Sequence, residues 1–342
     1  MDNAGDVLLA GPAVRAVAAG SDRVTVLAGP NGAAAARLLP GVDEVVEWRC
    51  PWLDPQPGPV ERRDVDFLVE RLAALRLDRA LVLTSFHQSP LPTALVLRMA
   101  GVAWLGAISE DYPGSLLDLR HAVDEQLPEA ERGLSLAAAG GFPLSIGDDG
   151  ALAVRRPLPD VSGLLPEGAF VVLHPGASVP ARAWPVGRFA EVARLLTGRG
   201  RQVVVTGAPS ERDLTAVVAG ITPAVDLGGR TTLEELAGVL EAADSVVVGN
   251  TGPAHLAAAV RTPVVSLFAP TVPAVRWAPY KVPFVLLGDQ EAVCRDTRVT
   301  RCPFRGHPCL GGVGAEDVAR AVEQLCGRPQ PHYVGSAVQE ES

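Results

Sequence analysis

The sequence predicts an α/β protein with two doubly wound, parallel-sheet domains, and three observations support this prediction. Short β-branched runs alternate with amphipathic segments through the second half of the 342 residues, and such alternation is typical of parallel sheets. The first half repeats the pattern with weaker signals. A stretch rich in Gly and Pro at 147–168 separates the halves, as expected for a linker. The chain length also suits two domains.

In the first half, hydrophobic periodicity predicts four helices and three strands. A Pro-rich loop is expected at 50–60, before the third helix. The predicted helices cover 13–19, 33–39, 64–77 and 91–99, and the predicted strands cover 24–27, 44–47 and 80–83. These elements define an N-terminal domain over 1–155.

In the second half, the alternation is clearer and predicts five strands and four helices. Thr231 or Thr232 is expected to cap the third helix, with Glu234 and Glu235 in its first turn. The predicted strands cover 170–174, 202–206, 224–227, 245–248 and 264–268, and the predicted helices cover 185–196, 211–219, 232–242 and a segment from 253 onward. They define a C-terminal domain over 168–327, and we expect the tail at 328–342 to be disordered.

Composition excludes several classes of protein. The net charge is −9, Lys281 is the only lysine, and no basic tract offsets the acidic balance. This argues against nucleic acid as a partner. Apolar runs stay well short of the ~18–20 residues that a membrane helix needs, and no signal peptide is recognisable. We therefore expect a cytoplasmic protein that makes at most peripheral contact with the inner face of a membrane.

The five cysteines do not predict a disulfide framework, because their count is odd and no secretory signal accompanies them. Three of them lie near one histidine in the segment CRDTRVTRCPFRGHPC. Such a group could hold zinc or iron, but its spacing lacks the paired CxxC of common structural zinc sites. We expect no metal there and reduced thiols instead. The residues concerned are Cys294, Cys302, His307 and Cys309.

The segment VVVGNTGPAHLAAAVRTPVVSLFAPT is the most informative stretch of the chain. It predicts a strand, a tight turn, a helix that begins at a proline, and a second strand. Thr251 and Gly252 are expected to leave free backbone N–H groups at the positive end of the helix dipole, which suits an anion. Helix capping alone would explain the Thr, Gly and Pro of this turn. The additional polar side chains of Asn250 and His255 favour a ligand.

Three further polar loops are predicted near strand ends, where parallel α/β sheets bind ligands. The loop at 2–6 contains Asp6, the loop after the strand at 170–174 contains Ser178 and Arg182, and the loop after the next strand contains Glu211. A carboxylate, a guanidinium and backbone N–H groups suit a nucleoside diphosphate, with Glu211 on a ribose and Arg182 on phosphate. The sequence lacks GxGxxG and GxxxxGK[ST], which disfavours dinucleotide and P-loop enzymes.

Three segments, in order, carry a family resemblance: DNAGDVLLAGPAVRAV, HPGASVPARAWPVGRFAEVARLL and GNTGPAHLAAAVRTPVVSLFAPT. They resemble the heptosyltransferases of glycosyltransferase family 9, the ADP-heptose:lipopolysaccharide enzymes, and the similarity spans nearly the whole chain. The resemblance implies a GT-B fold, in which two Rossmann-like domains face each other across a cleft. It implies that the N-terminal domain binds the acceptor and the C-terminal domain binds the nucleotide sugar. It also implies inverting transfer without a metal or a cofactor.

The resemblance also assigns roles to the residues of the four loops. Asp6 would be the general base that deprotonates the acceptor hydroxyl, although it could instead cap a helix. The departing nucleoside diphosphate builds negative charge, which fixed N–H groups and a guanidinium can stabilise. Glu211 would meet the nucleoside. The other donor-binding residues implied by the motifs are Ser178, Arg182, Asn250, Thr251, Gly252 and His255.

The chain departs from the family pattern in three places. The hydrophobic strand that usually precedes the Gly-Asp motif is missing from the sequence, so neighbouring strand edges should be exposed. Asn250 occupies a position that is often Asp, and Arg182 replaces the usual Lys with a different reach. The last two departures leave the donor sugar open.

We therefore expect an inverting glycosyltransferase that moves a heptose or another sugar from an ADP- or NDP-sugar to an acceptor hydroxyl. The acceptor would be a glycolipid, a cell-surface glycan or a small molecule such as a secondary metabolite. Two alternatives remain open at this stage. One is a nucleotide-sugar 2-epimerase, which can share the GT-B architecture, and the other is a non-catalytic nucleotide-sugar-binding protein.

Overall fold

The computed structural model describes residues 3–54, 57–85 and 88–327 and confirms the predicted α/β class with parallel sheets. Asp2 and the tail at 328–342 lie outside the described residues, so the prediction for the tail stays a prediction. The strands are β1 Thr25–Ala28, β2 Glu44–Glu47, β3 Arg79–Val82, β4 Trp104–Ile108, β5 Leu119–His121, β6 Phe170–His174, β7 Gln202–Gly207, β8 Val225–Gly228, β9 Ser245–Gly249, β10 Val264–Leu267 and β11 Phe284–Leu287.

The helices connect these strands. The bounds of most of the predicted helices agree with the observed bounds to within a few residues. In the part of the chain described, the strands β4, β5 and β11 and the helices at 4–9, 129–139, 274–277, 308–311 and 315–326 were not predicted. The helices are α1 Ala4–Leu9, α2 Gly11–Ala19, α3 Pro30–Leu38, α4 Arg62–Ala74, α5 Leu91–Met99, α6 Glu129–Ala139, α7 Val186–Gly198, α8 Arg212–Ala219, α9 Leu233–Ala242, α10 Gly252–Ala259, α11 Ala274–Trp277, α12 Pro308–Gly311 and α13 Ala315–Cys326.

The second half forms one six-stranded parallel sheet in the order β11-β10-β9-β6-β7-β8. Every residue of β6 and β9 is buried, because helices cover both faces of a parallel sheet. These two strands are direct neighbours, with His174 opposite Val248. Their carboxyl ends therefore bring together the loop that contains Arg182 and the turn that contains Asn250 and Thr251.

The sheet of the first half is divided into two pieces. Among the described residues, β1 pairs with β2 in a two-stranded sheet, and β3 is the outer strand of the three-stranded sheet β3-β4-β5. A cavity of about 720 Å³ lies between them and is lined by residues of both β1 and β3. β1 and β3 thus each lie at the edge of a sheet among the residues that the structure describes.

One hydrophobic core joins the two halves through α1. Val7 and Leu8 of α1 belong to the same buried cluster as Ala254 and Leu256 of α10, and α1 packs against both α3 and α10. Burial of these side chains fixes the start of the chain against the second domain. In the described ranges, the helices are too short or too polar to cross a membrane.

Candidate active site

The amino ends of α1 and α10 meet at the boundary between the two halves. A Cβ atom on Gly5 would lie 2.9 Å from His255 Cδ2 and 3.3 Å from Gly252 Cα, so only glycine allows this approach at position 5. A Cβ atom on Gly252 would lie 3.5 Å from the backbone nitrogen of Gly5. Because helix amino ends carry partial positive charge, their meeting point attracts an anion.

The turn before α10 differs in one respect from the prediction. The N–H of Thr251 is not free, because it donates to the carbonyl of Gly249 at 2.8 Å and closes a tight turn. Gly252 is the first residue of α10, so its N–H has no partner within the helix. The anion site predicted at this turn therefore depends on Gly252 and on side chains, with one backbone donor fewer than expected.

Three buried polar atoms around this turn have no hydrogen-bond partner among the described residues. They are Arg182 Nε, Thr251 Oγ1 and His255 Nδ1. Arg182 ends a 3-10 turn, Pro180–Arg182, that follows β6. Buried polar atoms are almost always satisfied in native proteins, so this cluster suits a polar ligand that would complete their hydrogen bonds.

The electrostatics of the cluster favour an anion over a cation. Burial lowers the pKa of Arg182 from its usual value, and the negative charge of Asp6 opposes this shift. Burial, together with the positive charge of Arg182, lowers the pKa of His255 to about 4. His255 is therefore neutral near pH 7, and the positive charge at this point comes from Arg182.

Asp6 does not lie in a loop, as the sequence suggested, but in the first turn of α1. Asn3 is the residue that precedes the helix, with extended backbone angles. Asp6 lies close enough to Arg182 of the second half and to Glu129 of α6 to influence the pKa of both. A carboxylate in the first turn of α1 thus lies near charged side chains of both halves of the chain.

A buried cluster of Glu129, Arg132 and Arg276 adjoins Asp6 and was missed by sequence reasoning. Glu129 Oε1 lies 3.4 Å from Arg132 Nε and 3.6 Å from Arg276 Nη1. Arg276 Nε also donates to the carbonyl of Glu125 at 2.8 Å. Burial raises the pKa of Glu129, and the charge of Asp6 raises it further. The positive charges of Arg132 and Arg276 lower this pKa but do not cancel the rise. The cluster links α6 of the first half to α11 of the second.

Glu211 sits where the carboxyl ends of β6 and β7 leave room for it. A Cβ atom on Gly176 would lie 2.1 Å from the Glu211 carboxylate, so a side chain at position 176 would displace this carboxylate. Glu211 Oε2 accepts a hydrogen bond from the N–H of Ala208 at 2.7 Å and lies 3.7 Å from Nε2 of the buried His174. The hydrogen bond to Oε2 holds the Glu211 carboxylate in place. The sequence predicts that this carboxylate meets the nucleoside.

Asn250 and Ser178 occupy different surroundings. Asn250 is buried, and its amide donates to the carbonyl of Ala269 and accepts from the N–H of the same residue, both at 3.4 Å. An aspartate would repel that carbonyl, which gives a physical reason for Asn at this position. Its side chain thus connects the loops after β9 and β10. Ser178 is exposed, four residues before Arg182.

The cysteine segment packs against the turn that carries Arg182. Cys294 and Cys309 are buried neighbours, and burial together with the adjacent Cys294 raises the pKa of Cys309 to about 12. His307 Nε2 lies 2.9 Å from the carbonyl of Ala181. Cys302 donates weakly to the carbonyl of Phe304. Within the described ranges, no three His, Cys, Asp or Glu side chains come together in a way that could hold a metal.

The arrangement of two parallel α/β halves with a shared polar site at their boundary defines a GT-B fold, and solved structures agree. A glycosyl transferase family 9 protein from Veillonella parvula DSM 2008 superposes with a TM-score of 0.74 at 17% identity, with 95% of each chain covered. The E. coli ADP-heptose lps heptosyltransferase II gives 0.70 at 21% identity, covering 95% of this chain and 96% of that one.

The chain belongs to glycosyltransferase family 9. The family model described as glycosyltransferase family 9 (heptosyltransferase) matches residues 68–306, well over half of the sequence. Lipopolysaccharide heptosyltransferase 3 of Escherichia coli (strain K12) is 32% identical over 193 residues, 55% of this chain and 54% of that protein. Lipopolysaccharide heptosyltransferase 2 of the same strain is 29% identical over 239 residues, 63% of this chain and 66% of that protein. The chain spans about half the length of the curated relatives it matches.

The depressed pKa of His255 predicts a loss of stability in acid. The unfolded chain binds this proton near 6.5, whereas the folded protein binds it near 4, so the unfolded state holds more protons between these values. The free energy of unfolding should therefore fall as the pH drops from 6.5 to 4, by about 3 kcal/mol from this residue. Chemical denaturation at several pH values measures it.

The variant His255→Gln keeps a polar side chain of similar length but cannot titrate. Its free energy of unfolding should depend less steeply on pH over the same interval, whatever its absolute stability. His174→Gln provides a comparison, because the pKa of the buried His174 is also lowered by burial. An unchanged slope in His255→Gln would contradict the prediction.

Proposed function

We propose that the protein is an inverting, metal-independent glycosyltransferase that moves a sugar from an ADP- or other NDP-sugar to an acceptor hydroxyl. The observation that carries the proposal is the position of Asp6. Its carboxylate lies close enough to Arg182 to influence its pKa, at the point where the amino ends of α1 and α10 meet. The carboxylate that we propose as the base and the proposed anion site are thus side by side.

In the proposed reaction, the diphosphate of the donor lies against Gly252, Thr251 and Arg182. The acceptor oxygen attacks the anomeric carbon from the face opposite the phosphate, and the carbon–phosphate oxygen bond breaks as the new glycosidic bond forms. Asp6 accepts the proton of the acceptor hydroxyl. The electron pair of the broken bond leaves with the nucleoside diphosphate, whose added charge the guanidinium and the helix end stabilise.

Asp6 is suited to the role of base because it stands on the acceptor side of the site. General-base help of this kind contributes typically ~10²–10⁴-fold to the rate. Arg182 contributes a fixed positive charge that forms direct hydrogen bonds to phosphate oxygens. Since a guanidinium and helix N–H groups can take over the charge stabilisation, the proposed chemistry needs no metal ion.

The relatives suggest which donor and acceptor to examine first. One solved relative is described as E. coli heptosyltransferase WaaC with ADP, and another as the same enzyme with ADP-2-deoxy-2-fluoro heptose. We propose an ADP-heptose as the first donor to test and a glycolipid or cell-surface glycan as the acceptor class. A small-molecule acceptor remains the second choice.

The test is a donor and acceptor matrix. The purified protein is incubated with ADP-heptose and other nucleotide sugars, with and without candidate acceptors, and release of the nucleoside diphosphate is measured alongside the anomeric configuration of the product. Acceptor-dependent release with inversion supports the proposal. Conversion of the nucleotide sugar without an acceptor would indicate a 2-epimerase instead. Saturable binding without turnover across the matrix would indicate a binding protein.

The variant Glu211→Gln tests the nucleoside side of the site. Gln can still accept from the N–H of Ala208 but loses the charge that would bind ribose hydroxyls. We expect the KM for the donor to rise about tenfold with little change in kcat, because one charged hydrogen bond is weakened. Steady-state kinetics with varied donor measure this.

Asp317→Asn is the matched control for that variant. Asp317 accepts from the N–H of Gly314 at 3.1 Å, three residues before it, in the same local arrangement but on α13. It should leave the donor KM unchanged. Equal donor KM values for Glu211→Gln and Asp317→Asn would remove Glu211 from the donor site.

A further inference from the structure

A buried histidine and a buried threonine lie on the inner side of the Glu211 carboxylate. The parallel register pairs Leu173 of β6 with Val205 of β7, so His174 and Thr206 are the next pair along the two strands. Side chains at paired positions lie on the same face of a sheet. Both side chains are buried, and His174 Nδ1 lies 2.9 Å from Thr206 Oγ1. The two residues therefore form a polar pair inside the sheet.

The Glu211 carboxylate is confined by two glycines and the histidine ring. A Cβ atom on Gly176, after β6, would lie 2.1 Å from Glu211 Oε1, and one on Gly207, at the end of β7, would lie 3.4 Å from Oε2. Oε2 accepts from the N–H of Ala208 at 2.7 Å and lies 3.7 Å from His174 Nε2. Because both of these groups lie at Oε2, Oε1 is the oxygen available to a ribose hydroxyl.

The chemistry of the three side chains determines which ring nitrogen should carry the hydrogen. An ionised carboxylate can only accept hydrogen bonds, so the Nε2 that faces Glu211 must carry the hydrogen in order to stabilise the carboxylate. Nδ1 of the neutral ring is then an acceptor, and the Thr206 hydroxyl can donate to it. Burial lowers the pKa of His174 and the charge of Glu211 only partly opposes this, so the ring is neutral near pH 7.

We propose that His174 is a positioning residue for Glu211, which it holds in the orientation that binds the donor ribose, and that Thr206 fixes the ring in the required tautomer. This inference rests on the proposed function, because it takes Glu211 as a ligand of the nucleoside. At 3.7 Å the ring N–H attracts Oε2 as a dipole, and a movement of about 0.7 Å would complete a direct hydrogen bond. His174 acts through Glu211 and needs no contact with the nucleotide.

A purely structural role of the pair makes a different prediction. Buried polar side chains usually have hydrogen-bond partners, so His174 and Thr206 could simply satisfy each other inside the sheet. Loss of the Thr206 hydroxyl would then lower stability and leave nucleotide binding unchanged. A positioning role predicts weaker nucleotide binding as well, and only while the Glu211 carboxylate is present.

The first measurement needs no variant. The nitrogen chemical shifts of the His174 ring, measured by NMR in the wild-type protein near pH 7, report which ring nitrogen carries the hydrogen. We expect the hydrogen on Nε2 and none on Nδ1. A ring with its hydrogen on Nδ1 would overturn the proposal, because its Nε2 could not donate to Glu211.

The second measurement uses Thr206→Val, which keeps the shape of the side chain and removes the hydroxyl that donates to Nδ1. We expect the Kd for ADP and the donor KM to rise about fivefold, roughly the effect of one hydrogen bond. The value of kcat should stay unchanged, because the ribose contact is the same in the ground state and in the transition state. Thr206→Ser, which keeps the hydroxyl, should restore both constants.

The matched control is Thr262→Val. Thr262 is also buried and donates to the carbonyl of Leu240 at 2.6 Å, but it lies just before β10, at the end of the sheet opposite the donor site. This variant should lower the melting temperature, as Thr206→Val does, and leave the Kd for ADP unchanged. In a Glu211→Ala background, Thr206→Val should not change the Kd for ADP further, because no carboxylate remains to be positioned.

The possible outcomes separate this inference from the proposed function. An unchanged Kd for ADP in Thr206→Val, with a wild-type protein that binds ADP, would overturn the inference alone. An equal loss of affinity in the Glu211→Ala background would also overturn it, because the pair would then act independently of the carboxylate. Failure of the wild-type protein to bind ADP would overturn the proposed function together with the inference. Where Thr206→Val does not fold, the tautomer of the wild-type ring decides.

Discussion

Replacing Asp6 by asparagine is expected to lower kcat by about 10²–10⁴-fold, the usual contribution of a general base. Asparagine has the same size as aspartate but cannot accept the proton of the acceptor hydroxyl. Donor affinity should be maintained or slightly increased, because the variant leaves Arg182 without a competing carboxylate in the site. Turnover assays at saturating donor and calorimetric binding of ADP measure the two effects separately.

The control for this variant must account for helix stability, since Asp6 also lies in the first turn of α1. A carboxylate there stabilises a helix by about 0.3–1 kcal/mol. Asp64 occupies the same kind of position in the first turn of α4, so Asp64→Asn reproduces the helix effect alone. A kcat for Asp6→Asn within a few-fold of that of Asp64→Asn would contradict the role of Asp6 as base.

The second half of the chain is predictable because its signals are local. β6 and β9 are buried on both faces, so each contains three or four consecutive apolar residues. Thr232 accepts from the N–H of Glu235, and the side chain of Glu235 accepts from the N–H of Thr232, a capping box that is recognisable from two residues. Sequence patterns alone therefore place the loops that carry Arg182 and Thr251 at strand ends.

The surroundings of Asp6 are less predictable because they depend on tertiary contacts. Glycine and asparagine favour turns over helix interiors, so the sequence predicts a loop at 2–6. The structure instead begins α1 at Ala4, and Gly5 is explained by its close approach to His255 and Gly252. That approach joins two segments that are far apart in the sequence, and local patterns carry no information about it.

The cluster of Glu129, Arg132 and Arg276 was missed for a similar reason. Arg276 is brought to Glu129 from the other half of the chain. Taken singly, each of these residues has the sequence signature of an exposed charge, and the group forms only when folding brings Arg276 of α11 to Glu129 of α6. The Glu and Arg three residues apart at the start of α6 were the one local signal, and such pairs are common on helix surfaces.

Replacing Arg182 by alanine is expected to weaken ADP binding by about 10–100-fold, because a charged hydrogen bond to a phosphate contributes roughly 1.5–3 kcal/mol. The value of kcat/KM should fall further, by about 10²–10³-fold, since the guanidinium acts most strongly on the charge that develops as the diphosphate leaves. Arg182→Lys should recover part of both losses, because the charge is kept while the forked geometry is lost.

The same variant has a second readout that does not depend on substrate. The charge of Arg182 helps to hold the pKa of His255 down at about 4, so Arg182→Ala should raise that pKa, whereas Arg182→Lys should raise it less. Titration of the His255 ring by NMR measures this shift. Arg188→Ala is the matched control, because Arg188 lies on α7 close by in sequence and pairs with Glu191 at the surface. Unchanged ADP affinity together with a raised His255 pKa would place Arg182 beside His255 but outside the diphosphate site. Weaker ADP binding together with a raised His255 pKa would show that the same guanidinium binds the diphosphate and lowers the His255 pKa.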